Sequence, residues 1–263
     1  MLGLAATAAS RPVAVRNHEG LVHGFLVLRA ADGSAIADGA LLQTTTRADQ
    51  VTSRLVFHFK DGSLQDETVV FSQQKAFRVL TNHLVQKGPS FPRELDARLD
   101  AGSGRVTVRW KERDGEQEED VEQMTLPDDL LNGLVLTVLK NVPEGTSQIV
   151  GHMVAFTPKP RLVKLEMTGI GEEAFVLGET THRAVRYRVR PKLGGLLGLL
   201  APLVGKQPPD AFVWIMGGEA PAFVKFEGSM FLDGPAWRME LISPRWGPAP
   251  HAEKAASVLG SAP

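Results

Sequence analysis

The side chains best placed to bind a ligand lie in one basic stretch. Arg186, Arg188 and Arg190 occupy alternate positions, with Lys192 just beyond them. Alternate positions of a β-strand share one face, so this spacing predicts a row of guanidinium groups on one side of a strand. Such a row repels itself unless it faces solvent, acidic neighbours or an anion. The anionic head of an amphiphile is therefore one candidate ligand.

An apolar, glycine-punctuated insertion follows the basic stretch, at 193–204, between Lys192 and Lys206. It is too short to span a membrane and too rich in glycine to form a firm helix. Three interpretations stay open: a plug inside a curled sheet, a lid over an apolar pocket, or a peripheral membrane contact with lysines at the head groups. The residues expected to contact a ligand are Leu134, Arg186, Arg188, Arg190, Leu196, Leu200 and Trp214.

Motifs of catalysis and cofactor binding are absent from the sequence. There is no nucleophile elbow, no P-loop and no metalloprotease helix. The glycines of 169–174 match a loose dinucleotide pattern, but the next strand follows too soon for a crossover helix, so the segment predicts a hairpin turn with positive-φ glycines. No histidine pair has metal-chelating spacing, and the chain has no cysteine. We expect no cofactor, no metal and no catalytic residue, although a site assembled across strands remains an alternative.

Acidic residues cluster in two patterns. The run 112–122 holds seven carboxylates around the Asp114-Gly115 turn. A solvated hairpin tip, whose like charges discourage edge pairing, is favoured over a cation site. The neighbours Asp66 and Glu67 point to opposite faces of a strand, which argues against a two-carboxylate mechanism.

Strict alternation of apolar and polar residues dominates the rest of the chain, as in 51–59 and 106–110, with Asp-Gly turns between such runs. This pattern predicts a mainly β protein: a large, curved antiparallel sheet or half-open barrel. One segment differs. Pro127 and Asp128 open an apolar run that ends before Pro143, which predicts a central helix over about 127–141, buried in the concavity of the sheet.

The length of 263 residues and the near balance of 29 basic and 30 acidic residues suit one β-rich domain, placed at 11–245, and disfavour nucleic-acid binding. No apolar stretch reaches 18 residues. Residues 1–10 resemble the remnant of a signal peptide, or else a disordered terminus, and 246–263 suggest a flexible tail. We expect a periplasmic or secreted protein, with a cytoplasmic one as the alternative.

The C-terminal third also carries a family resemblance. Over residues 174–242 a basic strand, an insertion, the strand Phe212-Val213-Trp214-Ile215-Met216, a polar turn with Pro221 and a further strand follow one another. This order resembles uncharacterised exported bacterial domains with the lipoprotein-carrier (LolA/LolB-like) half-barrel. The resemblance implies a periplasmic setting and the binding of a lipid or a lipoprotein acyl chain, and it transfers no binding residues. The leading hypothesis is a non-enzymatic carrier of a hydrophobic or amphiphilic molecule; an envelope scaffold with a filled core is the alternative.

Overall fold

A computed structural model describes residues 12–47, 49–143, 145–177, 179–192 and 208–242. Three expectations concern residues outside these ranges. They are the signal-peptide remnant at 1–10, the insertion at 193–204 with its ligand-binding candidates Leu196 and Leu200, and the tail at 246–263.

Fourteen strands and one short helix form the regular structure of the described residues. The strands are β1 (Val22–Arg29), β2 (Ala35–Arg47), β3 (Gln50–Phe59), β4 (Leu64–Gln73), β5 (Phe77–Lys87), β6 (Arg93–Asp100), β7 (Arg105–Glu112), β8 (Gln117–Gln123), β9 (Ile149–Ala155), β10 (Arg161–Leu177), β11 (Thr180–Lys192), β12 (Ala211–Met216), β13 (Ala222–Gly228) and β14 (Trp237–Ile242). The helix, α1, is Val135–Lys140.

All fourteen strands belong to one antiparallel sheet, in which sequence neighbours pair almost throughout. β1 to β8 lead to one end of the sheet and β14 to β9 lead to the other, because β1 pairs with β14 in the middle. The end of the sheet at β8 carries the acidic run, and the side chains of β8 are largely exposed. The prediction of a mainly β fold, with a large curved antiparallel sheet around one helix, is confirmed.

Burial follows the alternation of the sequence. On β4 the side chains of Gln65, Val69 and Phe71 are buried on the concave face, which carries α1, while Asp66 points to the convex face. Burying one face against a core while the other meets water is what selects a period of two. The core therefore lies inside the curve of the sheet.

The central helix is shorter than the expected 127–141. Gly133 has a φ of +67°, a conformation that favours glycine and interrupts a helix. Before it, the backbone pairs with the outer edge of β9: the Leu131 N–H donates to the His152 carbonyl, and the His152 N–H donates to the Asp129 carbonyl. Edge strands expose unpaired backbone groups. Pairing of residues 129–131 with the edge of β9 is therefore favoured over extending the helix to these residues.

The hairpin turn expected at 169–174 is wrong. β10 runs unbroken through this segment, and its register with β11 shifts between Gly169 and Glu172. Gly171, at a φ of +140°, belongs to this irregularity rather than to a turn. A glycine within a strand often marks a bulge, which a sequence pattern does not distinguish from a turn.

An aromatic cluster closes the hollow at the end of β5 near Lys87. The rings of Phe59, Phe91, Phe231 and Trp237 lie with centroids 5.3–6.2 Å apart, mostly edge to face. Phe59, Phe91 and Trp237 are buried. Such contacts add to the stabilisation from burial alone.

The opposite end of the hollow is crossed by residues 13–19. The Glu19 N–H donates to Gln73 Oε1, and Gln73 Nε2 donates back to the Glu19 carbonyl. Asn141 Oδ1, just after α1, accepts from the backbone N–H groups of Arg16 and Asn17. A largely buried ion pair of 2.7 Å between Lys140 Nζ and Glu19 Oε2 completes this closure. The N-terminal segment and the helix therefore hold each other in place.

Candidate functional site

The arginine row lies on the convex face of β11. Arg186, Arg188 and Arg190 share that face, while Tyr187 and Val189 are buried on the concave side. Each guanidinium has an acidic neighbour. Arg190 Nε and Nη2 donate to the two Asp210 carboxylate oxygens at 2.8 and 2.7 Å, and Arg188 lies 3.9 Å from the same carboxylate.

Arg190 and Asp210 each shift the pKa of the other. The hydrogen bonds from Arg190 hold the pKa of the Asp210 carboxyl below its usual value, and Asp210 in turn raises the pKa of Arg190. A hydrogen-bonded positive charge favours the ionised carboxylate. Much of the positive charge of the row is thus already matched within the protein.

Trp214 lies directly opposite Arg186 in the pairing of β11 with β12. Its indole Nε1–H donates to Glu173 Oε2 at 2.8 Å, and Glu173 Oε1 accepts from Arg186 at 3.2 Å. Lys225 Nζ lies 3.7 Å from the centre of the indole ring, and the Arg186 guanidinium lies 5.0 Å from it. A cation placed over the face of an aromatic ring is attracted by the electrons of the ring. These contacts bury Trp214 on the convex face, outside the core.

Leu134 lies on the other side of the sheet. It is fully buried in the core at the start of α1. The sheet therefore brings Arg186, Arg188, Arg190 and Trp214 together and separates them from Leu134. A ligand seated inside the curve does not reach the arginine row through the sheet.

A row of half-buried residues crosses the concave face, and sequence reasoning did not find it. Leu41 pairs with Leu55, Leu55 with Glu67, and Glu67 with Leu84, on the four adjacent strands β2 to β5. All four side chains keep part of their surface accessible. We call these four residues the leucine row.

Buried side chains flank the leucine row on both sides. On the side of α1 lie Gln43, Ser53, Val69 and Asn82, and on the side of the aromatic cluster lie Phe57, Gln65 and Gln86.

Two segments of the chain cover the buried side chains on either side of the leucine row, as their contacts show. The backbone at Gly133 presses on Val69 and Asn82 so closely that a Cβ there would lie 2.8 Å from Val69 Cβ. On the other side, Gln86 Nε2 donates to the Met230 carbonyl at 2.9 Å. The leucine row therefore lies between the segment leading into α1 and the loop that connects β13 with β14. This position makes it a partly open strip in an otherwise filled hollow.

Glu67 is the titratable member of the leucine row. Its Oε1 accepts a 3.0 Å hydrogen bond from Asn82 Nδ2. Burial among protein atoms raises the pKa of the Glu67 carboxyl. Asp66, its neighbour, points to the convex face and pairs with Arg54. The opposite directions of the two carboxylates were predictable from the alternation; the apolar surroundings of Glu67 were not.

Two open clefts lie near the aromatic cluster. One, of about 370 Å³, is lined by Ile36, Lys60, Asp61 and Trp237 among others. The second, of about 330 Å³, is lined partly by Phe91, Arg93 and Arg113. In the first, the Asp61 carboxylate is engaged by Ser90, whose hydroxyl donates to Oδ2 at 2.7 Å.

Metal and membrane signals are also lacking in the described part of the chain. None of its His, Asp and Glu side chains form a group of three that would hold a metal ion. Within the same ranges, no helix has the length and apolar character needed to cross a bilayer. The chain matches no protein-family model, no curated protein and no solved structure.

Proposed function

We propose that this protein is a non-enzymatic binding protein of the cell envelope, which holds a hydrophobic or amphiphilic molecule such as a lipid or an acyl chain against the leucine row. The observation that carries the proposal is the partial exposure of three leucines in one row on a concave, largely buried face. Apolar surface in a concave site is the usual lining of a pocket for apolar ligands. The proposed site does not include the arginine row, because the sheet lies between them.

Three features support binding on the concave face. The leucine row is continuous across four strands, so it offers one strip rather than scattered side chains. The segment at Gly133 and the loop at Met230 border it. Several polar groups of the flanking rows are engaged with each other, as in the 2.9 Å hydrogen bond from Gln86 Nε2 to Gln65 Oε1. An apolar chain lying along the row would displace water from leucine surface, at a gain of roughly 25 cal/mol per Å² buried.

The test compares two adjacent leucines on opposite faces. Leu41→Phe adds bulk to the leucine row, whereas Leu42→Phe adds the same bulk on the convex face, where Leu42 is 41% exposed. The probe is 1-N-phenylnaphthylamine, an uncharged fluorophore that brightens in apolar sites. We expect the wild type and Leu42→Phe to bind it alike, and Leu41→Phe to bind it about tenfold more weakly.

Overpacking typically destabilises a protein by about 1–3 kcal/mol, so urea unfolding of both variants must show that they remain folded. Leu55→Phe provides a second variant of the same strip. The absence of probe binding by the wild type, or equal binding by all folded variants, would contradict the proposal.

A scaffold with a filled core is the second candidate. The observation in its favour is that α1 is packed into the core inside the curve, with Val138 and Leu139 each 1% exposed. Native mass spectrometry of protein isolated gently from its host separates the two functions. A co-purifying lipid-sized mass supports binding, and a clean chain mass together with no uptake of the fluorophore supports the scaffold.

A further inference from the structure

Glu67 has an unusual position for a carboxyl group. Its cross-strand neighbours on the concave face are Leu55 and Leu84, and Val69 lies two residues along its own strand. Among the described residues, no lysine, arginine or histidine forms an ion pair with it. A carboxyl placed among leucines without a cation destabilises the fold, so its presence calls for a function or a partner.

Asn82 fixes the orientation of this carboxyl. Its Nδ2 donates to Glu67 Oε1, while its own Oδ1 is buried and has no hydrogen-bond partner. The side chain is 1% exposed and is held under the backbone of Gly133. Asn82 is thus a positioning residue, which orients the Glu67 carboxyl while its own carbonyl oxygen stays buried. Buried acceptors without donors are uncommon in native proteins.

We propose that Glu67 recognises the head group of the bound molecule and selects a hydrogen-bond donor, a primary amine most strongly and an alcohol next, over a carboxylate. This inference rests on the proposed function, since the chain of the same molecule would lie along the leucine row. A donor head group supplies a hydrogen bond to the Glu67 carboxyl, and an ammonium group makes that hydrogen bond charge-assisted. A carboxylate head would set oxygen against oxygen and repel an ionised Glu67.

The experiment uses three probes with one chain and different heads: decan-1-amine, decan-1-ol and decanoate. Each displaces 1-N-phenylnaphthylamine from the full chain at neutral pH, below its aggregation threshold. We expect the wild type to bind the amine at least tenfold more tightly than decanoate, with the alcohol between them. Glu67→Gln should reduce the preference for the amine over decanoate to less than threefold.

The matched control is Glu94→Gln, which removes an exposed carboxylate on the convex face. It should retain the wild-type preference. Glu67→Met is the second variant at the site, and should bind the alcohol and the amine alike. A structural role for Glu67 would change the affinity for all three probes equally and leave their order intact.

The outcomes separate the two proposals. If the wild type binds all three probes but prefers decanoate, or if Glu67→Gln keeps the preference for the amine, the head-group inference is overturned while the binding function stands. If the wild type binds neither the fluorophore nor any of the three probes, both are overturned. A preference that is lost in both Glu67 variants and kept in Glu94→Gln supports the inference.

Discussion

The two faces of the same strands differ in how they treat polar groups. On the convex face, charges meet opposite charges: Arg54 with Asp66, and Arg190 with Asp210. On the concave face, the polar groups are mostly uncharged amides, and Glu67 has an amide rather than a cation beside it. Water and counter-charges are available outside the curve, whereas inside it a polar group depends on the protein for its hydrogen-bond partners.

The two faces therefore contribute differently to the stability of the fold. The charge pairs of the convex face are screened by solvent, so each contributes little to stability. The concave face gains most of its stability from apolar burial, and a carboxyl there works against it. A charged or unpaired polar group on the concave face therefore points to a function more strongly than one on the convex face, because it lowers the stability of the fold.

The largest expected effect comes from deleting one aromatic ring on each face. Phe91 is 2% exposed in the aromatic cluster, and Phe25 is 42% exposed on the convex face. Phe91→Ala should lower the free energy of unfolding by about 3–5 kcal/mol, because it leaves a cavity among packed rings. Phe25→Ala should lower it by less than about 1 kcal/mol. Urea denaturation measures both, and equal losses would show that the convex face is buried as well.

The second expectation concerns the pH dependence of two carboxyls, one on each face. The raised pKa of Glu67 means that the folded state holds its proton more tightly than the unfolded chain does, so this group makes the wild type less stable as the pH rises above the ordinary glutamate value of 4.5. Asp210 has a lowered pKa because of Arg190, so its contribution is present above the ordinary aspartate value of 3.8 and is lost as the pH falls through the folded-state pKa.

Glu67→Gln should therefore be more stable than the wild type at neutral pH, and Asp210→Asn less stable. Both differences should shrink towards acidic pH. Thermal unfolding between pH 3 and pH 8 gives the two curves. Curves of the same sign would contradict the contrast between the faces.

The smallest expected effect is on the arginine row. Arg190→Met breaks the two hydrogen bonds to Asp210, but the arginine side chain is 36% exposed. We expect a loss of about 1 kcal/mol or less, and less still in 1 M sodium chloride, since salt screens surface pairs. The affinity for 1-N-phenylnaphthylamine should be unchanged. A large fall in that affinity would return the arginine row to the binding site.

The arrangement of the arginine row was visible in the sequence, although the row lies outside the proposed site. The period-two spacing of Arg186, Arg188 and Arg190 sufficed to place them on one face, because strand geometry allows no other arrangement. The same argument separated Asp66 from Glu67. The position of the arginines on the convex face, away from the hollow, was not predictable, because alternation alone does not say which face of a strand curves inwards when both faces are partly apolar.

The sequence by itself determined the fold class, the strand alternation and the presence of one central helix, though not its length, because these depend on local periodicity and on turn residues. The tertiary structure decided the rest. Gly133 starts the helix late because the preceding backbone pairs with β9. Leu41, Leu55, Glu67 and Leu84 form one row because the registers of four strands align them, and a shift of one residue in any strand would send its member to the other face. Register arises from contacts between distant parts of the chain, and a local pattern contains no record of it.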